Sequence, residues 1–339
     1  MNFEEISRFA QSHFTDGLVM IVGSGLSAAE GLSGMASLAS HLQEKSDSLN
    51  DIDRVAWSPI SKALEEGKGL EAALNDFRPS EDLEAWIGSE TASLLLPQER
   101  KAVSETVNGR KTLKLTSLLR RVLVTNGSLP IITTNYDRLV ETACEMAGLH
   151  VDTTVLGNFA GEFDHEKSCM QSCVALKRAD RAYVLEHRNR ATVLKPHGSF
   201  DWYRVGDSAR SCSVEIDAER LIITPGLNKY RAGYDSPFDK HRDLANGHIS
   251  RASRLLVVGY GFNDDHLQTH LLPKIRSGTP TLIATRTKNV AIDEIVSTGA
   301  NCICLSQDAE GTRIDTSFGE FTVPNSIWDI ESLAEECLK

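Results

Sequence analysis

Short apolar runs alternate along the chain with segments whose apolar residues recur at helical spacing. The runs at Leu18–Val22 and 255–258 are typical of strands in a parallel sheet, where helices cover both faces of each strand. Apolar runs predict further strands at 129–133, 150–155, 191–194, 221–224, 281–284 and 301–305. This alternation predicts an α/β fold with a doubly wound, mainly parallel, Rossmann-like sheet.

A long segment after the first strand carries helical patterning and no convincing strand signal. It is too long for a single crossover helix, so we expect an α-helical insertion at 35–125 within one domain that spans 1–339. The remainder of the core is then 126–305, and 306–339 is a C-terminal extension with a helix. The polar stretch 159–179 is predicted to be an irregular loop over a site or a second insertion.

Composition and charge restrict the possible partners. The chain has 339 residues, with 36 Lys and Arg against 47 Asp and Glu, a formal net charge of −11. Because coating nucleic acid requires a basic face, we expect no direct nucleic-acid binding. No apolar run is long enough to span a membrane, and the N-terminal segment lacks the pattern of a signal peptide. These features predict a cytoplasmic protein without a membrane partner.

The seven cysteines lie mostly on apolar or helical stretches and are expected to be reduced thiols. Two spacings, Cys169-x-x-x-Cys173 and Cys302-x-Cys304, invite comparison with zinc sites. A structural zinc site usually has two close pairs with two to four residues between the ligands, which these spacings do not reproduce. No metal is expected.

Four polar or glycine-rich turns each follow a predicted strand. They are 23–27 (GSGLS), 133–137 (TTNYD), 196–199 (PHGS) and 259–264 (GYGFND). The C-terminal ends of parallel strands share one rim of the sheet, and ligands bind in the crevice there. We therefore expect these four turns to meet in space, although they are far apart in the sequence.

The first turn, Gly23-Ser24-Gly25, lies between a buried strand and the start of a helix. Backbone N–H groups at such a place can hold a pyrophosphate, although the glycines can equally form a purely structural turn. A dinucleotide-binding dehydrogenase would show a second strand with an acidic end ~20 residues further on. That stretch is helical here, which disfavours a hydride-transferring dehydrogenase.

Two further turns present candidate catalytic side chains. Asn135 and Asp137 follow a strand at a spacing of two. Either Asp137 caps the next helix, or both side chains reach the rim, where the amide can hold a ribose hydroxyl or a water. His197, between Pro196 and Gly198, is either a structural histidine or an exposed general base.

The motifs Gly-Ser-Gly-x-Ser, Thr-x-Asn-x-Asp and His-Gly, in that order, resemble the NAD-binding core of sirtuins. The resemblance covers roughly 17–305, and the 259–264 segment resembles a bacterial sirtuin-like branch in particular. Sirtuin deacetylases usually carry a Pro-Asp-Phe-Arg-like stretch and two Cys-x-x-Cys zinc pairs. The segment 31–36 (GLSGMA) lacks that Asp, Phe and Arg, and the chain lacks both pairs. In these departures it is similar to sirtuin-like NAD hydrolases of bacterial antiphage defence.

This resemblance implies an NAD+ glycohydrolase that releases nicotinamide and ADP-ribose, uses NAD as its substrate and requires no metal. When triggered, such an effector depletes NAD+ and kills the host cell, which implies a role in abortive infection. Asn135 and His197 are the candidate catalytic residues. The candidate cofactor-binding residues are Gly23, Ser24, Gly25, Ser27, Thr134, Asp137, Gly198, Gly259, Gly261 and Asn263. Asp137 contacts the nicotinamide end or fixes the Asn135 turn, and the sequence does not choose between these roles.

An NAD+ hydrolase must be held inactive until it is needed. We expect a homo-oligomer or a separately encoded partner, which in the family includes a HerA-type ATPase/translocase. The alternatives are a sirtuin-type protein deacylase or ADP-ribosyltransferase, a non-catalytic sensor of NAD or ADP-ribose, and a structural subunit. Arg286 and Lys288 follow a late strand and are candidate contacts for the 2′-phosphate of NADP+, or simply surface charges.

Overall fold

The computed structural model describes residues 2–122, 127–177, 183–225, 236–299 and 301–338. Its helices and strands follow one another from a short N-terminal helix to a helix near the C-terminus. In chain order they are α1 (Phe3–His13), β1 (Leu18–Val22), α2 (Ser24–Ala29), α3 (Met35–Lys45), a 3-10 turn (Ser46–Ser48), α4 (Asp51–Glu65), α5 (Leu70–Asp76), α6 (Glu81–Val107), α7 (Lys114–Leu119), β2 (Ser128–Thr133), α8 (Leu139–Met146), β3 (His150–Asp152), β4 (Val155–Leu156), β5 (Ala160–Phe163), α9 (His165–Gln171), β6 (Cys173–Lys177), β7 (Tyr183–His187), β8 (Arg190–Leu194), β9 (Gly198–Val205), β10 (Ser208–Cys212), β11 (Arg220–Ile222), α10 (Phe238–Arg251), β12 (Arg254–Val258), α11 (Asp265–Arg276), β13 (Thr281–Thr285), α12 (Val290–Thr298), β14 (Cys302–Asp308), β15 (Gly311–Thr316), β16 (Gly319–Val323) and α13 (Ile330–Cys337).

A nine-stranded sheet organises the fold, in the order β16-β15-β14-β13-β12-β1-β2-β8-β3. From β14 to β3 every neighbouring pair is parallel, whereas β15 and β16 are antiparallel. Strand β1 lies in the interior, with β2 on one side and β12 on the other, so the strand order reverses there. The predicted doubly wound, mainly parallel, Rossmann-like α/β fold is confirmed.

Both faces of this sheet are covered, which explains the continuous apolar strands. In β1, Met20 and Val22 pack with helices α1, α7, α8 and α13, whereas Val19 and Ile21 pack with α10, α11 and α12. Every residue of β1 is buried. A strand enclosed in this way shows no apolar–polar alternation.

Among the residues that the structure describes, the chain between β1 and β2 is helical. Helices α3 to α6 bury an apolar cluster of their own, which includes Leu42, Trp57 and Ile60. Helix α7 instead packs Leu115 and Leu118 into the core beneath the central sheet. The division of the chain into an inserted module at 35–125, a core at 126–305 and an extension at 306–339 remains our proposal.

Several short strands differ from the expectation. The stretch 159–179 holds β5, α9 and β6, so the prediction of an irregular loop was wrong; residues 178 and 179 lie outside the described part. A second sheet, in the order β11-β9-β10-β5-β4, contains the strand expected at 221–224 as β11. The strand expected at 150–155 is divided, with β3 in the central sheet and Val155 in β4 of the second sheet. The C-terminal extension contributes β15 and β16 in addition to its helix.

Cysteines 302 and 304 both lie on the β14 face that packs with α11 and α12. Burial raises the pKa of the Cys302 thiol to about 12. Cys169 is half-buried, and its Sγ accepts a hydrogen bond from Arg190 at 3.3 Å. None of the described helices combines the length and apolar character needed to cross a membrane.

Candidate active site

The four predicted turns meet at the C-terminal rim of the sheet. Strands β1, β2, β8 and β12 end at Val22, Thr133, Leu194 and Val258, and a turn follows each. One pocket of about 230 Å³, here called the site pocket, is lined by residues from all four turns. Of the predicted residues, it is lined by Ser24, Ser27, Thr134, Asn135, Asp137, His197, Gly261 and Asn263.

Backbone contacts join the first and last of these turns. Gly23 N donates to Val258 O and Gly25 N to Gly259 O, each at 2.9 Å. A Cβ on Gly25 would lie 2.8 Å from Gly259 Cα, and one on Gly23 would lie 2.5 Å from Gly259 O. We call this contact of Gly23, Gly25 and Gly259 the glycine crossing. Its glycines are required for close backbone approach.

The crossing changes the expected role of the first turn. The N–H groups of Gly23 and Gly25 already bond to β12 and its turn, so neither can donate to a pyrophosphate. The Ser24 side chain is exposed and faces the site pocket, which makes it the better candidate for that contact. Neither Gly23 nor Gly198 is among the described residues that line the site pocket or a second pocket on the other side of the glycine crossing. Gly198, at φ +86°, packs against the backbone of Leu221.

Asn135 anchors a buried chain of hydrogen bonds. Its Nδ2 donates to Gly23 O at 3.0 Å and to Ser27 Oγ at 2.9 Å. Ser27 Oγ in turn donates to Asp137 Oδ2 at 2.7 Å, and Asp137 Oδ1 accepts from Leu139 N at 3.1 Å. Because a carbonyl can only accept, the amide orientation follows from the bond to Gly23. Both amide hydrogens are engaged, so only Oδ1 of Asn135 can contact a substrate.

These bonds also bear on the open role of Asp137. Both of its carboxylate oxygens accept from protein groups, one from Ser27 and one at the start of α8. The residue is 4% exposed. This geometry favours the role of fixing the Asn135 turn.

His197 is held by a carboxylate that sequence reasoning missed. Its Nε2 lies 2.5 Å from Asp264 Oδ2, and the two side chains are 12% and 6% exposed. Asp264 Oδ1 accepts from His266 N at 3.0 Å and caps α11. From the sequence, Asp264 was predictable only as a helix cap, although it lies in the same 259–264 turn as Asn263. With Nε2 facing the carboxylate, Nδ1 is the ring nitrogen that can take a proton.

A second pocket of about 630 Å³ lies on the other side of the glycine crossing. It shares Ser24, Tyr260 and Gly261 with the site pocket, so the two form adjoining halves of a cleft. Its outer wall comes from the ends of β13 and β14 and from the start of α13, and includes Thr285, Arg286, Asn289, Gln307 and Trp328.

The two cations after β13 have different surroundings. Lys288 Nζ lies 2.8 Å from Asp293 and 2.9 Å from Asp315. Arg286 is exposed, lines the second pocket and donates from Nε to Gln307 at 3.1 Å. Of the two candidates for a phosphate contact, only Arg286 faces the cleft.

Helix α6 forms one wall of the site pocket through Thr91 and Leu95. An ion pair attaches this helix to the β2–α8 turn, with Arg138 Nε donating to Glu99 Oε1 at 2.7 Å. Burial raises the pKa of the Glu99 carboxyl, and the neighbouring Arg138 acts in the opposite direction. The helical segment and the candidate catalytic turn are thus linked directly.

The fold is that of a Rossmann-like α/β protein, and its cleft lies at the carboxyl ends of parallel strands, where ligands bind in open sheets of this kind. Residues 130–296 match the family model of the SIR2-like domain. The matched stretch contains Asn135, His197 and Asp264 and begins after the Gly23–Gly25 turn. The resemblance to sirtuins is thereby confirmed at the level of this domain.

A search of curated proteins finds no significant match. Among solved structures, the chain is similar to a Sir2 mutant with a p53 peptide and NAD, at 14% identity and a TM-score of 0.46, covering 100% of this chain and 98% of that one. It is also similar to a Sir2 homologue mutant in complex with ADP ribose, at 12% identity and a TM-score of 0.45, covering 100% and 96%.

Proposed function

We propose that this protein is an NAD+ glycohydrolase that cleaves the nicotinamide–ribose bond. The observation that carries the proposal is the site pocket, where the Asn135 amide and a carboxylate-bound His197 lie together. The SIR2-like match over 130–296 supports NAD+ as the substrate. A cleft with two adjoining halves suits a dinucleotide, with its nicotinamide riboside half beside Asn135 and its adenosine half in the second pocket.

The reaction needs a positioned water and a base. As the C1′–N bond breaks, its electron pair leaves with nicotinamide, which departs neutral because it began as a cationic pyridinium. Positive charge develops on C1′, and water attacks there. Oδ1 of Asn135 accepts a hydrogen bond from this water, and Nδ1 of His197 takes its proton. A group positioned in this way contributes about 10²–10⁴-fold in rate.

Asp264 acts through His197 in this scheme. Its carboxylate accepts a hydrogen bond from Nε2–H, which keeps the ring proton on Nε2 and leaves Nδ1 unprotonated to receive the proton from water. It also stabilises the imidazolium that forms. Asp264 is therefore a positioning residue rather than a group that contacts the substrate.

We place this activity in bacterial antiphage defence, as a toxic effector that depletes NAD+ when triggered. The motif resemblance supports this setting. Control by homo-oligomerisation or by a separately encoded HerA-type ATPase/translocase is part of the same proposal. The expected outcome is loss of cellular NAD+ after phage infection in cells that carry the intact protein, and not in cells that carry a His197→Ala variant.

The direct test is release of nicotinamide and ADP-ribose from NAD+ by the purified protein, alone and with candidate partner ATPases. Release by the wild type but not by His197→Ala or Asn135→Ala is the expected result. Release that depends on an acceptor protein would instead indicate a deacylase or ADP-ribosyltransferase. Thermal stabilisation by NAD+ without release under any of these conditions would indicate a sensor and contradict the proposal.

A further inference from the structure

Lys195 is a fully buried cation beside the site. Its side chain is 1% exposed, and it stands two residues before His197 at the end of β8. Nζ lies 2.5 Å from Asp137 O, 2.9 Å from Glu141 Oε1 and 3.4 Å from Tyr136 O. The three ammonium hydrogens thus have three acceptors, all on the β2–α8 turn or in the first turn of α8.

A buried ammonium group is costly unless it is paired and hydrogen-bonded, so most lysines remain exposed. Glu141 supplies the paired charge. Burial raises the pKa of the Glu141 carboxyl, and Lys195 acts in the opposite direction. The remaining contacts of the ammonium are to two main-chain carbonyls, which it holds at a defined distance. We call Lys195, Glu141 and the carbonyls of Tyr136 and Asp137 the lysine clamp.

Further bonds join the same two turns. Phe200 N and Ser199 Oγ both donate to Tyr136 O, at 3.0 and 3.2 Å. The backbone of Lys195 is itself fixed, since its N donates to His241 Nδ1 at 3.1 Å. The main chain that leads into His197 is therefore attached on one side to a buried histidine and on the other to the turn that carries Asn135.

We propose that Lys195 is a positioning residue that sets the separation of Asn135 from His197. Its ammonium holds the carbonyls of one turn, and its backbone continues directly into the other. This inference rests on the proposed function, in which both residues act on the same water. A misplacement of ~1 Å between groups that act together can lower the rate about 10²-fold.

The test compares Lys195→Met with the double variant Lys195→Met/Glu141→Leu. The single variant leaves the Glu141 carboxylate buried and unpaired, so both melting temperature and kcat should fall. The double variant removes that charge as well, and its melting temperature should recover while kcat stays about 10²-fold low. KM for NAD+ should change little, because Ser24 and the second pocket are untouched. A Lys288→Met control breaks a partly buried ion pair elsewhere and should lower stability without changing kcat.

A second readout does not need turnover. Hydrogen exchange of the 136–139 amides should be faster in the double variant than in the wild type or the Lys288→Met control. A double variant with wild-type kcat and wild-type exchange would overturn the inference. A double variant that fails to fold would also overturn it, since Lys195 would then serve stability alone. If the wild type releases no nicotinamide either alone or with candidate partner ATPases, the proposed function fails, and exchange alone still decides whether Lys195 holds the turn.

Discussion

The contact between His197 and Asp264 allows a sharp test of the proposed chemistry. Asp264→Asn keeps the side-chain size and retains an oxygen to cap α11 through His266 N. It replaces the other oxygen, 2.5 Å from His197 Nε2, with an amide NH₂. A donor facing Nε2 makes that nitrogen an acceptor, so the ring proton moves to Nδ1. The nitrogen that should accept a proton from water is then already protonated.

The size of the effect follows from the role of the base. A positioned general base contributes about 10²–10⁴-fold, and the equivalent Asp→Asn change in a serine protease triad lowers kcat about 10⁴-fold through the wrong tautomer. We expect kcat to fall within this range with KM little changed. Exchanging a charge-assisted bond for a neutral one lowers the free energy of unfolding by at most about 3 kcal/mol.

The assay is the initial rate of nicotinamide release, measured together with thermal unfolding. Asp164→Asn is the matched control, because Asp164 also caps a helix through Oδ1 and pairs through Oδ2, here with Lys167 at 2.7 Å. Asp164 is not among the described residues that line the cleft. An Asp264→Asn variant that hydrolyses NAD+ as fast as Asp164→Asn would refute the assignment of His197 as the base.

Three further predictions concern the surroundings of the site. Asn135→Ala should abolish release and also lower the free energy of unfolding by about 1–3 kcal/mol, since the buried carbonyl and hydroxyl that it bonds lose their donor. Ser27→Ala retains the Asn135 oxygen, so an equal loss of turnover in both variants would argue against contact between that oxygen and the substrate. Gly25→Ala should lower the free energy of unfolding by about 1–3 kcal/mol because its Cβ meets backbone at 2.8 Å, whereas Gly34→Ala, with nothing within 4 Å, should change it little in the same calorimetric scan. Burial lowers the pKa of His241 to about 3, so the stability from its neutral imidazole is complete above about pH 6.5 and is lost as the pH falls toward 3. In urea unfolding across that range, the free energy of unfolding should fall by up to ~1.4 kcal/mol per pH unit because of this group. An equal fall in a His241→Asn variant would show that His241 does not contribute.

The central sheet was predictable because its strands are enclosed. Runs such as Leu18–Val22 are apolar at every position, and this pattern can be recognised without knowing which strands pair with them. Strands β5, β15 and β16 are partly exposed and mix glycine and polar residues with their apolar ones, so their pairing depends on neighbours that a local pattern does not reveal. The pairing of β5 within the second sheet, and that of β15 and β16 at the edge of the central sheet, was missed for this reason.

The turns that form the site could be predicted from the sequence, but the side-chain contacts within it could not. Parallel strands place their ends at one rim, so Asn135 and His197 could be brought together from sequence alone. Asp264 reads locally as a helix cap, and Lys195 as a charge at a strand end. Their roles depend on tertiary contacts, with His197 in one case and with the Asp137 carbonyl and Glu141 in the other.

The glycine crossing has a consequence for how the sequence can vary. Gly23 and Gly25 lie near the start of the chain and Gly259 far along it, yet the backbone at Gly259 excludes a side chain at Gly23 and at Gly25, and the backbone at Gly25 excludes one at Gly259. A side chain at any one of the three positions would meet backbone of the other segment. The two segments, although distant in sequence, are therefore constrained to vary together. A library randomised at these positions and selected for folded protein should return glycine at all three together.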